Sequence, residues 1–326
     1  MQYRHLGHAG VRVSTISLGS WLTYGNSTAE ETAINCIHTA YELGINLFDT
    51  ANVYNHGEAE KVVGRGLSDF PRESFVLATK VYFPMGDGPN DHGLSRKHIM
   101  EQCHASLRRL NTDYIDLYQC HRYDNETPVE EVLRALDDLV TQGKILYAGV
   151  SEWTAAQISD GVHTARALNL DKIVSNQPIY NMLTRYIERE IIPLCEREGI
   201  GQIVFSPLAQ GILTGKYKPG QQPQQGTRAA NSEVNSFMGD SLMSDKTLSA
   251  VQHLQELAHQ SGYTLSQLAL AWILRQSNVS SAIIGASRPQ QIAENVKASD
   301  ISLAQDMLHT IDEILADVTS YDKTRG

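Results

Sequence analysis

Two rhythms of apolar residues alternate along this chain. Short, mostly apolar runs such as Asn46-Leu47-Phe48-Asp49, Phe75-Val76-Leu77-Ala78-Thr79-Lys80 and Tyr114-Ile115-Asp116-Leu117-Tyr118-Gln119-Cys120-His121 read as β-strands. Between them, apolar residues return every three or four positions, as on a helix with one buried face. In 96–110, capped by Ser95, the inward stripe is Ile99, Cys103, Ser106, Leu107 and Leu110. Over 28–43, Thr28 as N-cap and Glu31 three residues on make a capping box, and Gly44 stops the helix.

The first strand is 16–18, and further strands are predicted at 145–150, 172–177, 201–206 and 280–284. Further helices are predicted at 56–67, 128–142, 154–168, 184–198, 245–261, 264–276, 289–298 and about 302–317. Eight strands, each followed by a helix, imply a parallel sheet buried on both faces. Eight such units in 326 residues predict a closed (β/α)8 barrel, the TIM-barrel architecture, with an open doubly wound sheet as the alternative.

Two pieces fall outside the repeat. Residues 3–13 read as a hairpin around His8-Ala9-Gly10 that plugs the barrel floor. Residues 215–244, rich in Gln, Gly, Pro, Asn and Ser, read as a mobile loop after the seventh strand, either a solvated spacer or an active-site lid. No composition shift marks a boundary, so 1–326 is expected to be one domain.

Composition narrows the partners. A chain this long can hold a core without disulfide or metal. The net charge of −10 and a pI near 5.6 argue against nucleic acid or an anionic membrane, while a local basic pocket can still take an anionic ligand. Cys36, Cys103, Cys120 and Cys195 are far apart and form no C-x-x-C pair, so a reducing cytoplasm fits best. The N-terminus lacks the apolar stretch of a secretory signal, and no run approaches the ~18 apolar residues of a membrane-spanning helix.

In a parallel barrel the C-terminal strand ends meet on one face, where active sites lie. Asp49, Lys80 and His121 end the second, third and fourth strands, and Tyr54 follows Asp49 in the loop over that mouth. A free phenol, with a pKa of about 10, is a poor acid–base at neutral pH. A Lys80 ammonium held by Asp49 is expected to favour the phenolate and lower that value, letting Tyr54 give a proton to a carbonyl oxygen. His121 can add a hydrogen bond to the same oxygen. A structural Asp–Lys pair is the plainer reading of two such residues alone, but four together point to chemistry. No metal-ligating cluster is visible.

Other motifs are weaker. Gly64-Arg65-Gly66 lacks the third glycine of a dinucleotide fingerprint. Gly211-Ile212-Leu213-Thr214-Gly215-Lys216 is one residue short of a phosphate loop, with Tyr217 where Ser or Thr should follow; it is either an anion cradle or a plain turn. Ile284-Gly285-Ala286-Ser287-Arg288-Pro289 leads into a helix start and is either a second anion site or a tight turn with a solvated arginine. Trp21, Tyr24, Tyr82, Phe83 and Trp153 follow the first, third and fifth strands and read as an aromatic substrate pocket, with core packing as the alternative.

These motifs resemble those of the aldo-keto reductase superfamily. Phe48-Asp49-Thr50-Ala51-Asn52-Val53-Tyr54 is similar to its second-strand signature, and Thr79-Lys80 to its catalytic lysine segment, with Gly64 in the helix downstream. Ser206-Pro207-Leu208-Ala209-Gln210-Gly211-Ile212-Leu213-Thr214-Gly215-Lys216-Tyr217 is similar to the subgroup of voltage-gated potassium channel β-subunits and their bacterial reductase relatives. So are Gly44-Ile45-Asn46-Leu47-Phe48-Asp49-Thr50-Ala51, Gly93-Leu94-Ser95-Arg96-Lys97-His98-Ile99 and Ile284-Gly285-Ala286-Ser287. The likeness runs from about residue 3 to 315.

The resemblance implies a (β/α)8 barrel, NADPH bound extended, and reduction of aldehydes or ketones to alcohols, with hydride from nicotinamide C4 and the proton from Tyr54. By position, Asp49, Tyr54, Lys80 and His121 are the catalytic tetrad. Ser20, Trp21, Asp49, Ser151, Asn176 and Gln177 are implied at the cofactor, the last three near the nicotinamide amide or ribose. Phe205 is implied to stack on the nicotinamide. Ser206, Pro207, Leu208, Ala209, Gln210 and Lys216 are implied around the pyrophosphate, with Arg228 from the lid. Gly285, Ser287, Arg288, Gln291, Glu294 and Asn295 are implied around the adenosine and its 2′-phosphate.

Three departures bear on function. The channel subunits tend to carry Asn at the position of His121 and Arg at that of Glu152. Retaining His121 favours a working reductase, and Glu152 removes a positive contact from the cofactor. Gln291 stands where many members have Arg, which leaves Arg288 as the main charge for the 2′-phosphate. The implied partners are a small carbonyl substrate, of triose or methylglyoxal type in the subgroup, and further copies of the chain in a tetramer or larger ring. The alternative is an NADP(H)-binding, channel β-subunit-like redox sensor; a weaker rival is a phosphate-binding barrel isomerase or lyase.

Overall fold

The structure, a computed structural model, describes residues 1–21, 29–225, 227–230 and 241–322. An antiparallel hairpin, β1 (Tyr3–His5) and β2 (Arg12–Ser14), comes first. Eight parallel strands follow: β3 (Ile16–Gly19), β4 (Leu47–Asp49), β5 (Val76–Val81), β6 (Ile115–Cys120), β7 (Ile145–Ser151), β8 (Ile173–Gln177), β9 (Gly201–Val204) and β10 (Val279–Ile284). Each pairs with the next in sequence, and β10 pairs back onto β3, so the sheet closes into the predicted (β/α)8 barrel and not an open sheet.

The helices α1 (Glu30–Glu42), α2 (Glu58–Leu67), α3 (Arg96–Leu110), α4 (Val129–Thr141), α5 (Ala155–Leu168) and α6 (Ile191–Glu198) each follow a strand. After β9 come α7 (Asp245–Gln260) and α8 (Leu265–Leu274), and after β10 come α9 (Pro289–Asn295) and α10 (Gln305–Leu315). Strand residues alternate between two apolar layers. Leu47, Val76, Ala78, Leu117 and Ile203 fill the barrel, while Phe48, Leu77, Tyr118 and Val204 pack under the helices. This two-residue alternation also decides which polar strand residues face inward.

The hairpin closes the N-terminal end of the barrel, as expected. Leu6 is fully buried in the inner layer. Arg4 donates to the carbonyls of Leu274, Gln276 and Val279 at 2.6–3.1 Å, and Ser280 Oγ donates to the His5 carbonyl at 3.0 Å. Gly7 has φ +57°, and a Cβ there would lie 2.2 Å from the Gly199 carbonyl oxygen, so no larger residue fits at this contact.

Some boundaries differ from the sequence pattern. The predicted cap Thr28 lies outside the described residues, and α1 begins at Glu30 behind Ala29, which makes no side-chain cap bond. Helix α2 starts at Glu58 rather than 56 because Asn55 and His56 are left-handed, with φ of 46° and 50°. Helix α6 starts at Ile191 rather than 184. Arg185 N donates to the Ser320 carbonyl and Ser320 N to that of Leu183, both at 2.8 Å, so the C-terminal tail takes the backbone groups a helix would have used. The Arg185 side chain also pairs with Glu188 and with Asp312 of α10. Of the predicted loop 215–244, Gly226 and 231–240 lie outside the described residues.

If Leu6 is the plug, Leu6→Ala should lower unfolding stability by about 2–5 kcal/mol, the usual cost of a buried Leu truncation, read as a shift in the urea midpoint. A shift below about 0.5 kcal/mol would place the plug elsewhere.

Candidate active site

The inward parity that places Leu47, Val76, Ala78 and Leu117 in the barrel also turns Asp49, Lys80, Gln119 and His121 inward near the C-terminal ends of β4, β5 and β6. Lys80, fully buried, donates from Nζ to Asp49 Oδ1 at 2.5 Å and to the Thr50 carbonyl at 2.8 Å. Asp49 Oδ2 accepts from Gln177 Nε2 at 2.9 Å and from Gln119 Nε2 at 3.4 Å. A buried ion pair is tolerated only when its remaining hydrogen-bonding capacity is met, and four strands meet it here. Gln119 was not singled out from the sequence, although its spacing from His121 places it on the same face.

Tyr54 opens a tight turn that runs through three left-handed residues, Asn55, His56 and Gly57. This turn folds the half-buried phenol back over the mouth. The Lys80 ammonium lies 5.2 Å from the centre of its ring. The His121 ring stands edge-on at 5.7 Å, and Phe83 stands edge-on to His121 at 4.9 Å. Tyr82 packs on Phe83 at 5.2 Å, and Trp21 approaches Tyr54 at 6.5 Å. Asp49, Tyr54, Lys80 and His121 thus share one site with Trp21, Tyr82 and Phe83. Tyr24 lies outside the described residues. Trp153 does not line the mouth: it is 1% exposed, edge-on to Tyr123 and beside Gly161 of α5, so it packs the helix layer.

The electrostatics correct one expectation. Burial, and next the Asp49 carboxylate, push the Tyr54 phenol well above its ordinary pKa instead of lowering it. Asp49 already answers the lysine charge, and its own negative charge opposes a phenolate. Burial lowers the Lys80 pKa, with Asp49 acting against that fall. Burial, then Lys80 and Arg122, hold His121 well below its ordinary value. Its buried Nδ1 has no hydrogen-bond partner among the described residues. The site therefore holds a protonated phenol and a neutral imidazole.

Other implied residues divide into groups. Ser20 Oγ donates to Thr50 Oγ1 at 2.8 Å, behind Asp49. Ser151 Oγ donates to the Gln177 carbonyl at 2.8 Å, and the Gln177 amide holds Asp49. Asn176 has the opposite parity and donates to Gln202 Oε1 at 3.0 Å, next to the inward Ile203 on β9, so Asn176 belongs to the helix layer and not to the mouth. Phe205 packs against the inner layer at the barrel rim.

Beyond Phe205 the chain turns sharply, with positive φ at Ser206, Ala209, Gln210 and Gly211. Pro207 and Leu208 lie within this turn. Gln210 Nε2 donates to Ser206 Oγ at 2.8 Å, and Arg228 donates to Gln210 Oε1. A Cβ on Gly211 would come within 2.9 Å of Lys216 Nζ, so the ammonium lies directly against the glycine. Two cations, neither in an ion pair among the described residues, bracket one strained turn, an arrangement suited to phosphate oxygens.

The other implied anion site is less open. Gln291 Oε1 accepts from Ser287 N at 2.8 Å and Arg288 N at 3.3 Å, so the start of α9 is closed by its own side chain. An anion there is left to the exposed Arg288 and Ser287 side chains. Gly285 has open space beside it, Asn295 is buried, and the Glu294 carbonyl is taken by Gln267. Glu152 is also engaged: left-handed at φ 57°, it accepts from Ile179 N at 2.7 Å and the Tyr186 hydroxyl at 2.8 Å, pinning the loop after β8. The sequence reading missed Arg122, whose Nη1 donates to the His121 carbonyl at 2.7 Å while its guanidinium lies 5.4 Å from the Phe83 ring centre.

Comparison with known proteins agrees with this architecture. Residues 15–316 match the model of the Aldo/keto reductase family. The chain is 44% identical over 321 residues to a putative voltage-gated potassium channel subunit beta of Schizosaccharomyces pombe, covering 96% of this chain and 93% of that protein. It is 43% and 42% identical to probable voltage-gated potassium channel subunits beta of Arabidopsis thaliana and Oryza sativa subsp. japonica, covering 92% of each chain in both cases. Among the described residues no helix is long and apolar enough to cross a membrane. With its closed eight-stranded barrel and a family match spanning nearly its whole length, the chain belongs to the aldo/keto reductase family and is an oxidoreductase of that family.

Proposed function

We propose that this protein reduces aldehydes and ketones to alcohols with NADPH, and that Tyr54 supplies the proton. The observation that carries the reading is the protonated Tyr54 held beside the buried Asp49–Lys80 pair and a neutral His121 at the barrel mouth. A phenol kept neutral is a donor, and a carbonyl oxygen that gains negative charge needs a donor. Lys80, fixed by Asp49, keeps a positive charge within 5.2 Å of the ring and offsets the phenolate as the proton leaves. His121, uncharged, orients the same oxygen by hydrogen bonding. Gln119 and Gln177 hold Asp49 so that it faces Lys80.

The family generally binds NADP(H), and the residues here fit it. Lys216 and Arg228 bracket the turn at 206–211 and would take the pyrophosphate. Phe205 at the rim would cover the nicotinamide, and Arg288 with Ser287 would meet the 2′-phosphate. When bound, this cofactor supplies hydride from nicotinamide C4. The four cysteines are buried and form no disulfide among the described residues, which suits a reducing cytoplasm. A second reading, favoured by the printed names of the relatives, is an NADP(H)-binding regulatory subunit.

Tyr54→Phe should cut aldehyde-dependent NADPH oxidation by about 10²–10⁴-fold, the range for a lost general acid, with NADPH binding by fluorescence titration unchanged. Full activity in that variant would remove Tyr54 from its role. A wild-type protein that oxidises NADPH no faster with small aldehydes than without would leave the regulatory reading. Lys216→Met should weaken NADPH binding by about tenfold, as expected for one lost charge-assisted contact; unchanged binding would move the pyrophosphate elsewhere.

The neutral imidazole has a further consequence. Its folded pKa lies below the ordinary 6.5, so below that pH the unfolded chain takes up a proton that the folded site refuses. The stability it contributes is full above about pH 6.5 and is lost as pH falls toward the folded value. In His121→Asn the urea midpoint should therefore drop less between about pH 7.5 and 5.5 than in the wild type. An equal drop would mean that His121 is not the refusing group.

A further inference from the structure

Arg122 is a half-buried cation with no carboxylate partner among the described residues. Apart from Arg228, which stands at the turn after β9 and donates to Gln210, the other arginines withdrawn from solvent have their charges or donors met. Arg72 pairs with Asp116, Arg109 with Glu60, and Arg185 and Arg275 with Glu188. Arg4 gives three hydrogen bonds to backbone carbonyls. Arg122 forms no ion pair among the described residues, and the hydrogen bond it makes runs from Nη1 to the His121 carbonyl at 2.7 Å. Half-burial without a counter-charge is costly, and the cost rises beside the buried Lys80 ammonium.

Its position explains what the cost could serve. Arg122 directly follows His121, and its guanidinium lies 5.4 Å from the centre of the Phe83 ring, which itself stands edge-on to His121 at 4.9 Å. The cation thus borders the aromatic wall beside the imidazole. Its field is felt across the site: it opposes protonation of His121 and Lys80 and eases ionisation of Tyr54. A guanidinium presents five N–H donors in a planar fork, matched to the oxygens of a carboxylate or phosphate.

We propose that Arg122 is a specificity-determining residue that receives an anionic group on the carbonyl substrate, so that the favoured substrates carry a carboxylate or phosphate. This rests on the reductase reading and names the substrate class for the same mouth. The anion supplies the counter-charge that the fold leaves out, and Phe83 shields the pair from water.

The test compares matched pairs. 4-Carboxybenzaldehyde is set against 4-methylbenzaldehyde, and glycolaldehyde phosphate against glycolaldehyde, which separates carboxylate from phosphate at two spacer lengths. In the wild type, kcat/KM should be higher for the charged member of at least one pair. In Arg122→Gln that preference should fall by about 10–100-fold, mainly through KM, the loss expected of one charge-assisted hydrogen bond to a desolvated anion. Arg122→Lys, which keeps the charge without the fork, should lose less. No charged preference in the wild type, or a preference that survives in Arg122→Gln, overturns the proposal. If no aldehyde is turned over, the reductase reading fails. Calorimetric affinity for 4-(hydroxymethyl)benzoate against 4-methylbenzyl alcohol, in wild type and Arg122→Gln, then decides the Arg122 proposal by the same ratio.

Discussion

The buried ion pair between Asp49 and Lys80 constrains everything around it. Two charges taken out of water inside a barrel lose several kcal/mol of hydration each, and their attraction repays this only when the remaining donors and acceptors are met. Here the carboxylate and ammonium come from neighbouring strands, two glutamines on β6 and β8 complete the carboxylate, and the Thr50 carbonyl takes another ammonium proton. Four strands must therefore close at the correct register before the pair is stable. The pair is satisfied only in the closed barrel.

The same pair sets the character of the mouth. Because Asp49 answers the lysine charge at close range, Tyr54 feels burial and a carboxylate more than an ammonium, and stays protonated. His121, desolvated and near two cations, stays neutral. The left-handed turn at Asn55, His56 and Gly57 then folds the phenol over the pair instead of letting α2 run on from residue 56. Strain in that turn is stored beside the proposed proton donor, as is common at functional sites.

Much of this was legible from residue order. Eight strand–helix units pointed to a closed barrel over an open sheet, and the ends of three strands carried Asp49, Lys80 and His121. The hairpin and its floor contact followed from two short runs around a glycine turn. Less was legible wherever a distant segment intervened. The late start of α6 depends on Ser320, which lies far along the chain. Asn176 and Gln177 are adjacent in sequence, yet one faces the helices and the other the barrel. Trp153 followed a strand like Phe83 but turned toward α5. Gln119 and Arg122 drew no notice because each is an ordinary residue until its neighbours are known.

By itself, the sequence determined the fold and the identity of the polar residues at the mouth, because alternation and helical spacing are local properties that survive without tertiary contacts. What the tertiary structure decided was the state of those residues. Whether Tyr54 is a phenol or a phenolate, whether Gln291 leaves a helix start open, and whether Arg122 has a counter-charge all depend on burial and on partners far away in the chain. Desolvation and charge act through space, so their balance appears only when the barrel closes.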